Sequence, residues 1–209
     1  VRGSRTQQIL SDLGIDDTVV MGCPSLFWSD DPLLGDRIET RWRAATSPLR
    51  PAVAVGPQKR ALRSSHRRLF DWAARRDGAW IAQSGRLLVT ALSGGTVTRP
   101  DGRSDRSDRA HLPAHAFFDA GAWISFVARY DVSVSPRIHG TILAAQGGVP
   151  AFCLAHDGRT SELAATCSLP TLSVRRFGRT RDPERLVTGT AWDGAAFDRT
   201  RQLLAGRYA

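Results

Sequence analysis

The sequence predicts an α/β fold, in which a parallel sheet is covered by helices on both faces. The first observation is an alternation between residues 118 and 174, where short apolar strands and helices follow one another with brief turns. The second is that the strands are of the apolar type that is buried on both faces. The third is the composition, with 42% hydrophobic and 23% charged residues in a chain of 209. Together they favour a globular, Rossmann-like domain.

Each element is predicted from apolar spacing and from the turn residues that bound it. The predicted helices span residues 6–13, 58–77, 118–131, 138–148, 158–168, 183–188 and 192–206. The predicted strands span residues 18–27, 51–57, 79–83, 131–135, 149–155 and 169–174. Residues 85–95 suit a strand or a helix equally. Asp119 is a plausible N-cap for the helix that follows it.

The order of these elements suggests a division of the chain. Residues 1–27 are expected to be the end of a missing N-terminal domain or a crossover segment, because the sequence starts at Val1 and its first residues resemble an internal part of a longer chain. Residues 28–50 are expected to be a polar loop or linker with one short helix. Residues 51–175 form the Rossmann-like domain, interrupted by a flexible loop over 94–116 that is rich in Gly, Pro, Ser and Asp. Closing helices occupy 176–209.

Composition and charge exclude several classes of protein. The three cysteines have no C-x-x-C spacing, so a disulfide framework or a zinc site is not expected, and no metal or cofactor is predicted. No apolar run approaches the length of a membrane span. The net charge is +9, but the arginines are scattered and often lie beside acidic residues, and their excess over a single lysine suggests a GC-rich genome. Nucleic-acid binding is therefore disfavoured.

Basic side chains gather at a predicted strand-to-helix turn. Arg137, Ile138 and His139 follow the strand at 131–135, and Gly140 begins the next helix. Strand ends and helix N-termini form anion sites in doubly wound sheets. Arginine can bind a carboxylate or phosphate through two hydrogen bonds, histidine can donate or transfer a proton, and glycine admits a ligand close to the backbone. The alternative is that the arginine pairs with a surface acid and the histidine caps its helix.

A second polar turn follows the next strand, where His156, Asp157 and Arg159 lie together. Asp157 is favoured as an N-cap rather than a catalytic group, with Glu162 supporting the same helix start. Two such turns side by side raise the case for a shared anion site. No G-x-G-x-x-G, Walker, G-x-S-x-G or H-E-x-x-H motif is present. His111 and His115 are expected to be solvated loop residues.

Arg2 is a third candidate. It precedes a predicted helix that Ser4 could cap, and an arginine at the head of a helix opposes the helix dipole. The position is more favourable if the guanidinium reaches toward an anion. The alternative is a frayed chain end.

The stretches "VRGSRTQQIL", "VMGCPSLF", "AWISFVARYD" and "SPRIHGTILAAQGGVPAFCLAHDGRTSELA" resemble the polysaccharide pyruvyl transferase family in the same order. The resemblance extends from residue 1 to about 173 and is weak through 28–116. It implies a fold similar to the C-terminal domain of GT-B glycosyltransferases. The chain departs from the family at Ser135 and Pro136, where Gly-Thr is usual.

The resemblance also implies an activity and a set of residues. The family transfers a pyruvyl unit from phosphoenolpyruvate to sugar hydroxyls and so forms a ketal in envelope or exopolysaccharide synthesis. The implied donor contacts are Arg2, Arg137, Ile138 and His139, to which the strand-end argument adds Gly140 and Arg159. Arg137 and His139 are the catalytic candidates, and no metal is required. Because the family's N-terminal domain supplies the other wall of the cleft, the chain alone is expected to bind donor without turnover.

Two other functions remain open from the sequence. One is a GT-B glycosyltransferase that uses a nucleotide sugar, and the other is a non-catalytic anion-binding module. In the pyruvyl transferase interpretation the partners are phosphoenolpyruvate and a saccharide or lipid-linked oligosaccharide acceptor, with no nucleic acid and no integral membrane segment. The expected location is the cytoplasm or the inner face of the membrane.

Overall fold

The computed structural model describes residues 1–56, 60–83, 85–97 and 111–208. Its strands are β1 Pro51–Val55, β2 Ala79–Ala82, β3 Thr96–Val97, β4 Leu112–His115, β5 Val132–Ser135, β6 Ala151–Ala155 and β7 Thr171–Ser173. They form one sheet in the order β3-β4-β2-β1-β5-β6-β7, and all pairings are parallel except that of β3 with β4.

Helices connect these strands along the described chain. They are α1 Ser4–Asp12, α2 Leu34–Ala44, α3 Arg63–Arg75, α4 Gly85–Leu92, α5 Ala120–Val127, α6 Ile138–Gln146, α7 Gly158–Thr166, α8 Val174–Arg179, α9 Pro183–Thr188 and α10 Gly194–Tyr208. Short 3₁₀ turns occupy Pro24–Phe27 and Arg60–Leu62. Among the described residues, no helix combines the length and the apolar character that crossing a bilayer demands.

The sheet is covered on both faces. Ala54 of β1 points into a hydrophobic cluster that contains Ile142 of α6, whereas its neighbour Val53 belongs to a second cluster with Phe70 of α3 and Phe177 of α8. Successive side chains of a strand point to opposite faces, so the two clusters lie on opposite sides of the sheet. The predicted α/β class, with a mostly parallel sheet between helical layers, is confirmed.

The strand order reverses between β1 and β5. From β1 the chain proceeds outward through β2 to β4, then returns to place β5 on the other side of β1 and continues through β6 to β7. Ala52 of β1 pairs with Ser133 of β5 at this point. In open parallel sheets the crevice beyond the carboxyl ends of such a strand pair binds ligands. Gly56 and Pro136, which follow these two strands, therefore border the expected binding crevice.

The strand predicted at 18–27 does not form. The Met21 backbone N–H donates to the Val1 carbonyl oxygen at 2.7 Å, and the Val1 amino group donates to the Val19 carbonyl oxygen at 2.7 Å. The backbone of this segment thus bonds to the chain's first residue rather than to the sheet. Pro24, which lacks an N–H, then begins a 3₁₀ turn.

Two predicted loops contain more regular structure than expected. Within 28–50 the one short helix that was predicted is the eleven-residue α2, whose buried Leu34 and Ile38 recur at helical spacing among charged neighbours. The two ends of the 94–116 loop contain β3 and β4, and residues 98–110 lie outside the described residues. The ambiguous segment at 85–95 forms helix α4, and α8 was not predicted.

The C-terminal segment is bonded to the rest of the domain. Asp198 of α10 accepts hydrogen bonds from the backbone N–H groups of Gly35 and Asp36, at 2.7 and 3.1 Å, and so caps α2. Arg201 donates to the carbonyl oxygens of Leu26 and Asp31, at 3.2 and 2.8 Å. These contacts connect α10 with the chain preceding β1.

Candidate functional site

A cavity of about 370 Å³ lies where the strand order reverses, at the carboxyl ends of β1, β5 and β6. Its lining comprises Gly56, Leu62, His66, Pro136, Arg137, Ile138, His139, His156, Asp157, Arg159 and Thr160. The two polar turns identified in the sequence thus meet in one cavity, because β5 and β6 are adjacent parallel strands. The helix α3, on the opposite side of the crevice, contributes His66.

Arg137 is held in place by its surroundings. The residue follows β5 as the N-cap of α6, and its backbone N–H donates to Ser135 Oγ at 3.1 Å. Its Nε donates to Gln83 Oε1 at 2.5 Å. A Cβ on Gly56 would lie 2.6 Å from Arg137 Cδ, so only glycine leaves room for this side chain. The two terminal guanidinium nitrogens form no hydrogen bond with a described residue and remain available to a ligand.

The electrostatics of the cavity favour an anion. The pKa of Arg137 is lowered from its ordinary value by burial and by the nearby positive charge of Arg159. Two guanidinium groups that repel each other in a partly buried site are stabilised when an anion lies between them. The first backbone N–H groups of α6, at Ile138 and His139, have no partner within the helix and add to the same field.

Gly140 and Arg2 lie outside the cavity lining. A Cβ on Gly140 would lie 2.4 Å from the Ala54 Cβ and 2.8 Å from Ser135 Oγ, so this glycine lets α6 approach β1 closely. Arg2 is exposed at the head of α1, where its charge acts on the phenol of Tyr208. Ser4 does not cap α1, because the N-cap is Gly3.

The turn after β6 is organised by a capping box. Asp157 Oδ1 accepts a hydrogen bond from the Thr160 backbone N–H at 2.9 Å, and Thr160 Oγ1 accepts one from the Asp157 N–H at 3.2 Å. The preference for Asp157 as an N-cap agrees with this geometry. Glu162 does not support the same helix start, since its Oε1 accepts a hydrogen bond from the Thr6 N–H of α1 at 2.9 Å. The contact docks α1 on α7.

Docking of α1 brings a further cation to the site. A Cβ on Gly158 would lie 2.8 Å from Arg5 Nη1, so Arg5 reaches the first turn of α7 next to Arg159. In addition, His156 Nε2 lies 3.2 Å from Asp157 Oδ2. Of Arg2, for which the sequence predicted a donor contact, and Arg5, it is Arg5 that reaches the turn bordering this cavity.

His139 contacts the thiol of Cys23, a residue to which the sequence pattern assigned no role in the site. Its imidazole forms a hydrogen bond with Cys23, whose Sγ also lies 3.0 Å from Ser25 Oγ. Burial raises the pKa of this thiol, but the hydrogen bonds with His139 and Ser25 and the charge of His139 outweigh burial and lower the pKa to about 7. Burial raises the pKa of Cys153 and of Cys167 to about 12.

We therefore expect one thiol alone to ionise near neutral pH. The thiolate absorbance in the ultraviolet should increase with a midpoint near pH 7 in the wild type and should show no such step in Cys23→Ser. In His139→Gln the midpoint should move up toward the ordinary value of 9.0, because the stabilising partner is gone. A midpoint unchanged in His139→Gln would contradict the Cys23–His139 interaction.

His66 makes the stability of the fold sensitive to acid. Burial lowers its pKa from 6.5 to about 4, and the charge of His156 acts in the same direction. Between these two values the unfolded chain binds a proton that the folded chain does not. The free energy of unfolding therefore falls as the pH falls through this window, by about 3 kcal/mol in total.

The test is urea unfolding of the wild type and of His66→Gln at about pH 7 and about pH 5. The variant should lose most of the pH dependence, whereas the exposed-site control His111→Gln should keep it. His115, whose pKa burial also lowers, leaves a smaller residual slope of the same sign. An equal slope in His66→Gln and wild type would refute the assignment.

Comparison with known proteins adds one finding to this geometry. Residues 1–158 match the family model of polysaccharide pyruvyl transferases. The matched span contains most of the cavity, including Arg137 and His139, and ends one residue before Arg159. No curated protein and no solved structure matches the chain significantly.

Proposed function

Because this chain belongs to the polysaccharide pyruvyl transferase family, we propose that its cavity binds phosphoenolpyruvate and that the protein forms a pyruvate ketal on a saccharide. The observation that carries the proposal is that Arg137 and Arg159 line the same cavity of about 370 Å³ beside the N-terminus of α6, close enough for their positive charges to interact. Phosphoenolpyruvate presents a carboxylate and a phosphate on three carbons, and two separate cationic groups suit its two anionic ends.

The reaction assigns roles to Arg137, Arg159, His139 and the N-terminus of α6. A saccharide hydroxyl oxygen bonds to C2 of phosphoenolpyruvate while a proton adds to the methylene carbon, which becomes a methyl group. A second hydroxyl oxygen then bonds to C2, the bond from C2 to the phosphate oxygen breaks, and the remaining proton leaves with phosphate. Arg137, Arg159 and the α6 N-terminus hold the donor and offset the charge on departing phosphate. His139 is positioned for phosphate contact and proton transfer, with Cys23 as its hydrogen-bonding partner.

The proposed partners follow from the chemistry. The donor is phosphoenolpyruvate, and the acceptor is a saccharide or lipid-linked oligosaccharide with two hydroxyls close enough to share one carbon. We place the activity in envelope or exopolysaccharide synthesis, in the cytoplasm or at the inner face of the membrane. The residues that the structure describes contain no group of three His, Cys, Asp or Glu side chains that could hold a metal ion.

Equilibrium dialysis with labelled phosphoenolpyruvate tests the proposal. We expect saturable binding by the 209-residue chain, displaced by unlabelled phosphoenolpyruvate but not by equal concentrations of UDP-glucose or GDP-mannose. The crevice of a doubly wound sheet also suits nucleotides. Competition by UDP-glucose and GDP-mannose therefore tests the alternative that the protein is a glycosyltransferase. Binding of a nucleotide sugar in place of phosphoenolpyruvate would favour a glycosyltransferase. Equal displacement by any polyanion would favour a non-catalytic module.

A further inference from the structure

Five exposed arginines lie together beyond the span that matches the family. Arg175, Arg176, Arg179, Arg181 and Arg185, here called the arginine surface, belong to α8, α9 and the turn between them. They line a hollow of about 930 Å³. None of the five guanidinium groups forms a hydrogen bond or ion pair with another described residue.

The charges of the arginine surface are not balanced locally. Asp182 is the one acidic residue lining the hollow within the described part of the chain, and its Oδ1 already accepts a hydrogen bond from the Arg185 backbone N–H at 3.0 Å as the N-cap of α9. Like charges held close together repel one another, and protein surfaces normally intersperse the two signs. Arginine binds carboxylates and phosphates through paired N–H groups. The hollow is therefore suited to an anionic ligand.

The arginine surface follows β7, the strand next to β6, whose carboxyl end borders the cavity. Its hollow follows the carboxyl end of β7, and it shares Ser173, Arg176 and Leu186 with a second hollow of about 520 Å³. That second hollow is bounded at its other end by Ala155 of β6 and Ser161 of α7. The first turn of α7 lines the cavity that holds Arg137. Residues of the first two turns of α7 thus line both the cavity and the second hollow, Arg159 and Thr160 the former and Ser161 the latter.

The character of the arginine surface favours a saccharide over other anions. Its sole aromatic neighbour among the described residues of α8 and α9 is Phe177, which is fully buried, so no ring is available to stack on a nucleic-acid base. The exposed large apolar residues all lie elsewhere in the described chain, so nothing here inserts into a bilayer. A concave, polar and cationic surface suits an extended polar chain that carries separate charges.

We propose that the arginine surface is a saccharide-binding subsite that recognises a carboxylate or phosphate group of the acceptor while the acceptor's hydroxyl pair reaches the cavity. That the bound saccharide is the acceptor of the reaction rests on the proposed function. That the surface binds an anionic saccharide rests on the hollow and its charges alone. The proposed subsite gives a function to the five arginines that lie outside the matched span, since donor binding requires only the residues of the cavity.

Direct binding to defined probes tests the subsite. Tetragalacturonate carries carboxylates, lactosyl diphosphate carries a diphosphate, and maltotetraose is neutral. The triple variant Arg176→Gln, Arg179→Gln, Arg181→Gln removes three charges from the arginine surface. The matched control Arg43→Gln, Arg75→Gln, Arg199→Gln removes three charges at exposed positions elsewhere. Calorimetry at fixed ionic strength gives the affinities, and a urea unfolding curve checks the fold of each variant.

We expect the wild type to bind at least one anionic probe and not maltotetraose. The arginine-surface variant should lose about tenfold or more in affinity, and the control should change by less than about twofold. Which anionic probe binds then separates carboxylate from phosphate recognition. No binding of either probe, or an equal loss in the control, would overturn the subsite. Tighter binding of a DNA duplex or of phosphatidylglycerol vesicles, lost in the same variant, would also overturn it in favour of a nucleic acid or a membrane.

Phosphoenolpyruvate affinity, measured on the same three proteins, separates this inference from the proposed function. It should be similar in all three. If the wild type binds an anionic saccharide through the arginine surface but binds no phosphoenolpyruvate, the proposed function fails and the saccharide site stands. If it binds phosphoenolpyruvate but neither anionic saccharide, the subsite alone is refuted.

Discussion

Replacement of Arg137 by alanine should weaken phosphoenolpyruvate binding by roughly 100-fold, or about 3 kcal/mol. The guanidinium is oriented by Gln83 and by contact with Gly56, and its two terminal nitrogens are left for a ligand. Loss of a charge-assisted pair of hydrogen bonds in a partly buried cavity removes more affinity than loss of a surface charge. Calorimetric titration of donor into wild type and variant measures the change.

A conservative variant and a control sharpen this test. Arg137→Lys keeps the charge but loses the fork of parallel N–H donors, so we expect an intermediate loss of about tenfold. Arg43→Ala removes an exposed arginine that pairs with Glu39 on α2 and should leave donor affinity unchanged. Equal affinity in Arg137→Ala and wild type would eliminate this residue from the donor site.

Replacement of Glu184 by alanine should lower the free energy of unfolding by about 3–5 kcal/mol. Its carboxylate is buried and accepts hydrogen bonds from the Leu49 backbone N–H and Trp72 Nε1, both at 3.2 Å, and from Arg76 Nε at 3.0 Å. Burial raises the pKa of this carboxyl, but hydrogen bonds from Ser47 and these partners, with the charge of Arg76, outweigh burial and lower it. Its removal leaves several donors unpaired.

Urea unfolding measures the effect, with Asp12→Ala as the control. Asp12 is an exposed residue at the end of α1 with one hydrogen bond from Gln8 Nε2, and its loss should cost less than about 0.5 kcal/mol. Because the stability contributed by Glu184 depends on its lowered pKa, it is present above the ordinary pKa of 4.5 and is lost as the pH falls below that value. A change below about 1 kcal/mol in Glu184→Ala would show that these hydrogen bonds of Glu184 do not stabilise the fold.

The sequence predicted β1, β2 and the three strands from β5 to β7, but it assigned β3 and β4 to a loop. Between 131 and 174, short apolar strands are separated by brief turns, so local pattern and final structure agree. The segment at 18–27 has the same apolar character, yet its backbone bonds to Val1, a partner that no local pattern reveals. The length of helix α2 was underestimated because only one apolar residue occurs in each of its turns, among charged ones. The strand order itself depends on pairings such as Ala52 with Ser133, which are remote in sequence.

The part of the site that follows β5 and β6 was predicted, because its residues lie in turns that the local sequence pattern identifies. Strand-end reasoning brought Arg137, His139, His156 and Arg159 together, and the structure places all four around one cavity. His66 was missed, although its spacing of four from both Leu62 and Phe70 puts it on the apolar face of α3. Gln83 and Cys23 could not be inferred, since each reaches the site from a segment distant in the chain.

The five histidines provide the most direct test that the cavity is the donor site. His66, His139 and His156 line it, whereas His111 lies outside it and the ring of His115 packs on Phe126 with centroids 4.4 Å apart. Imidazole resonances, assigned by single His→Gln variants, are followed by NMR as phosphoenolpyruvate is added. The account predicts saturable shifts for the three cavity histidines and none for the other two. Unshifted cavity histidines at saturating phosphoenolpyruvate, or shifts at His111 and His115 alone, would contradict it.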